Sequence, residues 1–348
     1  VKAVPVKNPP NPWHSQLVEY LEEPPTQRLE VYEDHTKSIL AENDSPDLGF
    51  RYSVNPYRGC QHACSYCYAR PSHEYLGFGA GTDFDRRIAV KPRAPELLRE
   101  AFEKRSWHGE LVMFSGNTDC YQPLEASYEL TRRCLEVCAE YRNPVHVITK
   151  AALIERDIDV IVRLVKDARA GVSISIPFWD AEKARAVEPY APTPRRRMET
   201  VRRLVEAGIP VTVNVAPLIP GLSDADMPNI LEAAAEAGAR SASLIVLRLP
   251  GPVKQVFEER MRAAFPLRVE KILARTREMR GGKLYDSRFG ARMTGEGEYF
   301  DAIHALFDKT ARRLGLVSRD ADDYGKPEPP TTFRRPTDPG GQLRLFDH

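Results

Sequence analysis

Six short apolar runs separated by amphipathic segments constrain this chain more than any other feature. The runs are Phe50–Val54, Leu111–Phe114, Val145–Thr149, Gly171–Ile176, Val211–Val215 and Leu244–Leu247. Between them, apolar residues recur at helical spacing over Pro95–Lys104, Ala126–Tyr141, Asp157–Ala168, Met198–Ala207 and Met227–Ala237. Strands alternating with helices predict a parallel sheet with right-handed crossovers. Gly208 and Gly238 stand where helix C-caps belong. The pattern fits an α/β barrel, a partial barrel or a doubly wound open sheet. In a barrel, function collects at the carboxyl ends of the strands.

The flanks differ in character. Residues 1–49 carry Pro5, Pro9, Pro10, Pro12, Pro24 and Pro25 with little periodicity, which predicts an N-terminal extended arm. A barrel unit is expected over residues 50–250. Over 251–318 the spacing of Phe257, Met261 and Phe265, and of Ile303, Leu306 and Phe307, predicts a C-terminal helical extension closing the barrel's open side. Residues 319–348 are rich in Pro, Gly and charge, which predicts a flexible tail.

The chemistry is concentrated in Gly59-Cys60-Gln61-His62-Ala63-Cys64-Ser65-Tyr66-Cys67-Tyr68. Zinc sites usually take four protein ligands, often as two separated pairs. Iron–sulfur cubanes take thiolates from compact loops. Cys60, Cys64 and Cys67 would therefore leave one iron of a [4Fe–4S] cube open to a bound molecule. Structural cysteines that merely fall into this spacing, and a three-cysteine zinc site completed by His62 or His73, are the competing readings. The chain has six cysteines, and Cys120, Cys134 and Cys138 remain. A low-potential cluster needs reduced thiols, so a cytoplasmic location is expected. No run is long and apolar enough to span a bilayer, and no secretory start is evident. The net charge of +1 neither favours nor excludes nucleic acid. Local basic runs such as Arg195-Arg196-Arg197 could bind it or form a solvated helix face.

The C-x3-C-x2-C spacing, with Tyr66 before the third cysteine, resembles the radical S-adenosylmethionine (SAM) superfamily. That resemblance implies a partial (β/α)6 TIM barrel, a [4Fe–4S] cluster, SAM and an external flavodoxin- or ferredoxin-like electron donor. The open iron would chelate SAM, whose reductive cleavage yields a 5′-deoxyadenosyl radical. The strand ends carry polar groups suited to the rest of SAM. Ser115-Gly116-Asn117-Thr118 follows the second strand and Lys150 ends the third. Ser173 and Ser175 share one face of the fourth by their period of two, and Asn214 lies on the fifth. Gly116 would let backbone carbonyls approach the SAM ammonium, Lys150 would face its carboxylate, and the serines and Asn214 would face its ribose.

Thr118-Asp119, Thr149-Lys150 and Ser175-Ile176 also resemble the spore photoproduct lyase-like branch, which implies that Thr118, Lys150 and Ser175 contact SAM. The lyase of that branch reverses a thymine dimer in DNA. It carries a hydrogen-donating cysteine where this chain has Gly116. Cys120 is the nearest thiol and a candidate donor from a shifted position, with a structural thiol as the alternative. No cysteine follows Cys138, which excludes a second, carboxy-terminal cluster.

Lys283, Arg288 and Arg292 lie in a glycine-rich stretch that could cradle nucleic-acid phosphates or be an exposed loop. The end of the chain, Gln342-Leu343-Arg344-Leu345-Phe346, resembles the peptide by which bacterial polymerases and repair proteins dock on the β sliding clamp. The expected function is radical SAM chemistry on DNA, a photolyase-like repair of a damaged base. The alternatives are modification of tRNA, a peptide or a small metabolite, or a non-catalytic iron–sulfur or zinc protein that binds nucleic acid.

Overall fold

The computed structural model describes residues 29–318 and 330–336. The described strands are β1 (Glu30–Glu33), β2 (Leu40–Glu42), β3 (Tyr52–Val54), β4 (Tyr57–Arg58), β5 (Arg87–Val90), β6 (Val112–Phe114), β7 (Val145–Thr149), β8 (Ala170–Ser175), β9 (Val211–Leu218), β10 (Ser241–Val246) and β11 (Val317–Ser318). The main sheet has eight strands in the order β11-β10-β9-β8-β7-β6-β3-β2. All of its pairings are parallel except β2 with β3, which is antiparallel. β3 and β6 to β10 occupy the six runs expected from the sequence. Chain order equals spatial order along them, as successive right-handed crossovers require. This is the partial barrel, with helices on its outer face.

The helices follow their local signals. Pro194–Glu206 starts with Pro194 at its first position, and the Thr193 side chain accepts a hydrogen bond from the Arg196 N–H. It buries Met198, Val201 and Leu204, three residues apart, against the sheet. The stretch expected as one helix over Ala126–Tyr141 is two, Glu125–Tyr128 and Leu130–Glu140, because Glu129 adopts a left-handed φ of 51° between them.

The flanks depart from expectation. Within the supposed extended arm, β1 pairs parallel with β5 and β2 extends the main sheet. Helices Val253–Ala264 and Val269–Glu278 do not simply close the barrel. Their Phe257, Met261 and Ile272 form a second apolar core with Cys64, Tyr66, Phe178 and Leu247, bracing the cysteine loop from outside. Helix Glu298–Arg313 joins the main core through Ile303 and Phe307.

Residues 330–336, expected within the flexible tail, are docked. Phe333 lies edge-on to Phe102 and stacks on Tyr141, with ring centroids 5.9 and 6.1 Å apart. Gly109 makes the room, since a Cβ there would stand 2.2 Å from the Cβ of Phe333. The Thr331 hydroxyl donates to the Gly109 carbonyl (2.6 Å) and the Arg335 Nη2 to the Lys104 carbonyl (2.7 Å). The seat is built from loops entering β6 and β7, the end of the barrel opposite the strand carboxyl ends. Phe333→Ala should lower stability by about 1–2 kcal/mol, the sum of a half-buried ring and its aromatic contacts. This would appear as a lower urea midpoint at unchanged slope, and an unchanged midpoint would show that the docked segment contributes nothing.

Candidate active site

The cysteine loop leaves β4 and crosses the carboxyl ends of the barrel strands. Its backbone is held by charge. Arg70 donates to the Cys64 carbonyl (2.8 Å) and to the Ala80 and Gly81 carbonyls (2.9 and 2.8 Å), and its Nη2 also meets Asp85 (2.8 Å). Arg260 reaches in from helix Val253–Ala264 to the Ala63 carbonyl (2.7 Å) and to the other oxygen of Asp85. Gln122 adds a third clamp, accepting from the Gln61 N–H and donating to the Gly59 carbonyl, both at 3.0 Å.

The three thiols line one cavity of about 800 Å³. Burial pushes the Cys64 thiol up to about 12, with the Glu188 carboxylate adding to the rise. Burial likewise raises Cys60, reinforced by Asp119 and the other two sulfurs, and it raises Cys67. Such a set is costly to ionise without a cation, and bound iron is what would relieve it. Among the described residues, no three His, Cys, Asp or Glu side chains converge to hold a single metal ion. Tetrahedral zinc needs its ligands about 2.3 Å from one point. In a cubane each thiolate serves a different iron, so the spread-out set fits a cluster better.

The strand ends supply the opposite wall. Ser115, Gly116, Asn117, Lys150, Ser175, Asn214 and the Tyr66 ring all line the cavity. Lys150 Nζ lies 5.7 Å from the Tyr66 ring centroid, with no carboxylate at ion-pairing distance among the described residues. Burial alone would lower the Lys150 amine, but Cys64 and Glu188 outweigh it and raise it above the ordinary lysine value. Asp119 orients this strand end: its carboxylate accepts from the Thr149 hydroxyl (2.7 Å) and the Lys150 N–H (2.9 Å), and lies 3.4 Å from His62 Nδ1. Burial would raise the Asp119 carboxyl, yet His62 and these donors hold it well below the usual carboxylate range. Glu188 accepts from the Tyr66 hydroxyl and the Arg197 guanidinium, and Arg197 also donates to the Ser175 carbonyl (3.0 Å).

Three expected contacts lie elsewhere. The Thr118 hydroxyl donates to the Tyr57 carbonyl (2.6 Å), and Ser173 pairs with His146 Nε2 (2.8 Å); neither lines the cavity. Cys120 is wholly buried in the main core and also lies off the cavity. Its N–H donates to the Ser115 hydroxyl (2.8 Å) and its carbonyl accepts from Thr131 (2.7 Å), which turns it inward. Gly116 has a second reason to be glycine. A Cβ there would lie 2.8 Å from the Ser53 Cβ, so a cysteine does not fit without moving β3. The Gly116 carbonyl accepts from the Tyr68 hydroxyl (3.0 Å). His73 is buried against Phe78 and Phe84, with its imidazole pushed down to about 4 by burial, and it stays off the cavity.

Sequence reasoning missed Asp119, Glu188 and Arg197 as positioning groups. The arginine run was legible only as a charged face, but Arg197 is 1% exposed and Arg196 pairs with Glu155. The far wall of the cavity was missed as well. It combines Asn43–Phe50 from the arm with Phe289–Gly295 from the glycine-rich stretch, and Asp47 ties the two together. Arg292 Nε lies 2.6 Å from the Asp47 carboxylate, and Arg288 pairs with Asp286.

Burial would raise the Asp47 carboxyl, but hydrogen bonds from Arg292 and Ser45 outweigh it and hold it at about 2. A depressed carboxyl stabilises the fold fully above its unfolded value near 4, and that stabilisation disappears as pH falls through about 2. Wild type should therefore melt above Asp47→Asn at pH 5 and converge with it towards pH 2. A melting difference that does not change over this window would show that the ion pair holds nothing in place.

No helix among the described residues is long and apolar enough to cross a membrane. An uncharacterized protein of Mycobacterium tuberculosis is 35% identical over 268 residues, covering 76% of this chain and 77% of that protein. One from Methanocaldococcus jannaschii is 30% identical over 199 residues, covering 57% and 71% respectively. The structure of spore photoproduct lyase complexed with dinucleoside spore photoproduct aligns with a TM-score of 0.60 at 15% identity, over 83% of this chain and 81% of that one, a likeness of fold. The sequence pattern of the Radical SAM superfamily matches residues 54–234, and this chain belongs to that superfamily.

Proposed function

We propose that the chain is a radical SAM enzyme acting on DNA, in a photolyase-like repair of a damaged base. The observation that carries the reading is one continuous cavity, running from the three thiols past the strand ends to a wall of aromatic and arginine side chains. At about 800 Å³ it stands near the upper end of ligand sites, which run from about 300 to 1,000 Å³. That is room for a substrate group beside a cofactor.

Radical SAM enzymes use a [4Fe–4S] cluster and SAM, and when bound and reduced by an external donor these supply a 5′-deoxyadenosyl radical that abstracts hydrogen. Cys60, Cys64 and Cys67 would hold the cluster. Lys150 would hold the SAM carboxylate, and Gly116 with Asn117 would meet its ammonium. Ser175 and Asn214 would face the ribose, with Tyr66 beside them. Thr118 and Ser173 act indirectly in this reading, since their hydroxyls bond the β4 backbone at Tyr57 and tie β8 to His146 of β7.

The donor role considered for Cys120 finds no support in its position. Among the described residues the cavity lining carries no thiol besides Cys60, Cys64 and Cys67. A repair that returns hydrogen from a cavity thiol, as in thiol-dependent thymine-dimer reversal, does not fit this lining. Gln342, Leu343, Leu345 and Phe346 lie outside the described residues. Their resemblance to a sliding-clamp peptide supports DNA as the setting.

The test is turnover on irradiated DNA. Anaerobic holoenzyme with SAM and reductant should release 5′-deoxyadenosine several-fold faster with ultraviolet-irradiated DNA than with intact DNA, and nucleoside mass spectrometry should show a lesion disappearing. Stimulation by tRNA or peptide pools, with none by irradiated DNA, would move the assignment to those substrates.

A further inference from the structure

The cavity lining also carries aromatic rings and an arginine that the SAM contacts do not use. Tyr68 follows the third cysteine directly and is 44% exposed, while Phe289 is 59% exposed. Both rings line one cavity, which sets them apart from apolar residues scattered singly over the surface. Each is backed by a cation on one side. The Arg248 guanidinium lies 5.3 Å from the Tyr68 centroid, and that of Arg292 lies 4.8 Å from the Phe289 centroid. The mounts are rigid. The Tyr68 hydroxyl is bonded to the Gly116 carbonyl, and Arg292 is tied to Asp47.

The two arginines differ in a way that matters. Arg292 is neutralised by Asp47. Arg248 has no carboxylate partner among the described residues; its Nη1 meets only the Met293 sulfur (3.2 Å), and its Nε is buried without a hydrogen bond. Its backbone is fixed at the end of β10 by Arg280, which donates to the adjacent Leu247 carbonyl (3.0 Å). The Arg248 side chain lines the cavity without a carboxylate partner among the described residues, and a fork of N–H donors placed there suits an oxyanion. Asp44 is an acidic neighbour in the same lining, but it is not paired with Arg248.

We infer that Tyr68, Phe289 and Arg248 form the substrate half of the cavity, in which an unpaired nucleobase stacks on the open aromatic faces and its adjoining phosphate is held by Arg248. The inference rests on the nucleic-acid reading above and narrows it to a base removed from the duplex stack. Arg-backed aromatic platforms suit any base, because every base presents a π-face. Duplex substrate would enter most readily where a base is already unpaired, since extrusion there costs least.

The test is binding by reconstituted holoenzyme, read by fluorescence anisotropy across a salt series. The probes are a labelled single strand, a duplex with one unpaired base, and a fully paired duplex. Wild type should bind the first two at least tenfold more tightly than the third. Phe289→Ala should weaken binding roughly ten- to a hundredfold, the usual effect of losing one base stack. Arg248→Ala should weaken binding to all probes and reduce the log–log salt slope by about one. Arg248→Lys should restore the slope but only part of the affinity, because an ammonium lacks the planar fork. Iron content and circular dichroism check that each variant is folded. If wild type binds and both alanine variants match it in affinity and slope, the assignment is overturned while the nucleic-acid reading stands. If wild type binds none of the probes, or binds only an aromatic-rich peptide, the nucleic-acid reading fails and this site fails with it.

Discussion

Asp85 is a buried carboxylate shared by two buried guanidinium groups, and the geometry of the cysteine loop depends on it. Arg70 and Arg260 each bond both Asp85 and a loop carbonyl, of Cys64 and Ala63 respectively. Charges this deep are tolerable only when paired and fully hydrogen-bonded, and losing one partner strands the others. The arrangement holds the loop through its backbone and leaves the thiols free. It also joins distant parts of the chain, because Arg260 comes from a helix almost two hundred residues downstream of the loop. The carboxy-terminal helices are thereby part of the site's construction.

The same device recurs around the rest of the cavity. Glu188 and Arg197 link Tyr66 of the loop to the carboxyl end of β8, and Asp119 links His62 to the end of β7. Glu188 sits behind the residues that face the cavity, and Asp119 lines it beside them. They leave Lys150, Ser175 and Asn214 directed at the space where a ligand would lie. The far wall follows suit, with Asp47 joining the amino-terminal segment to the glycine-rich stretch. Four buried or half-buried carboxylates thus frame one cavity without lining its reactive end, Asp119 excepted.

Much of this was legible in the sequence, for physical reasons. β-Branched runs and helical spacing located the six barrel strands, because both signals come from burial periodicity within one element. The cysteine spacing was legible because a cluster demands a compact loop. β9 runs three residues beyond its expected end since Pro217, lacking an N–H, reads as a strand terminator. β1, β2 and β11 escape notice because they are mostly exposed and form no apolar run, and β4 and β5 because they are short and fall outside the strand–helix alternation. The positioning acids were missed because their partners are far off in sequence, as with Asp85 and Arg260. Phe333 was read as part of a flexible tail because nothing local reveals the seat that Gly109 leaves for it. Ser173 lies on the expected strand, and Thr118 and Cys120 in the loop after β6, but only the packed structure shows that their polar atoms are engaged inward or buried.

The most direct measurement is Mössbauer and EPR spectroscopy of the anaerobically reconstituted chain, with and without SAM. About four irons per chain are expected, in a cubane whose unique iron changes its spectrum when SAM is added. Reduction should yield 5′-deoxyadenosine, with cluster and product both lost in Cys64→Ala. A chain that takes up a single zinc ion and leaves SAM intact under reducing conditions would contradict it.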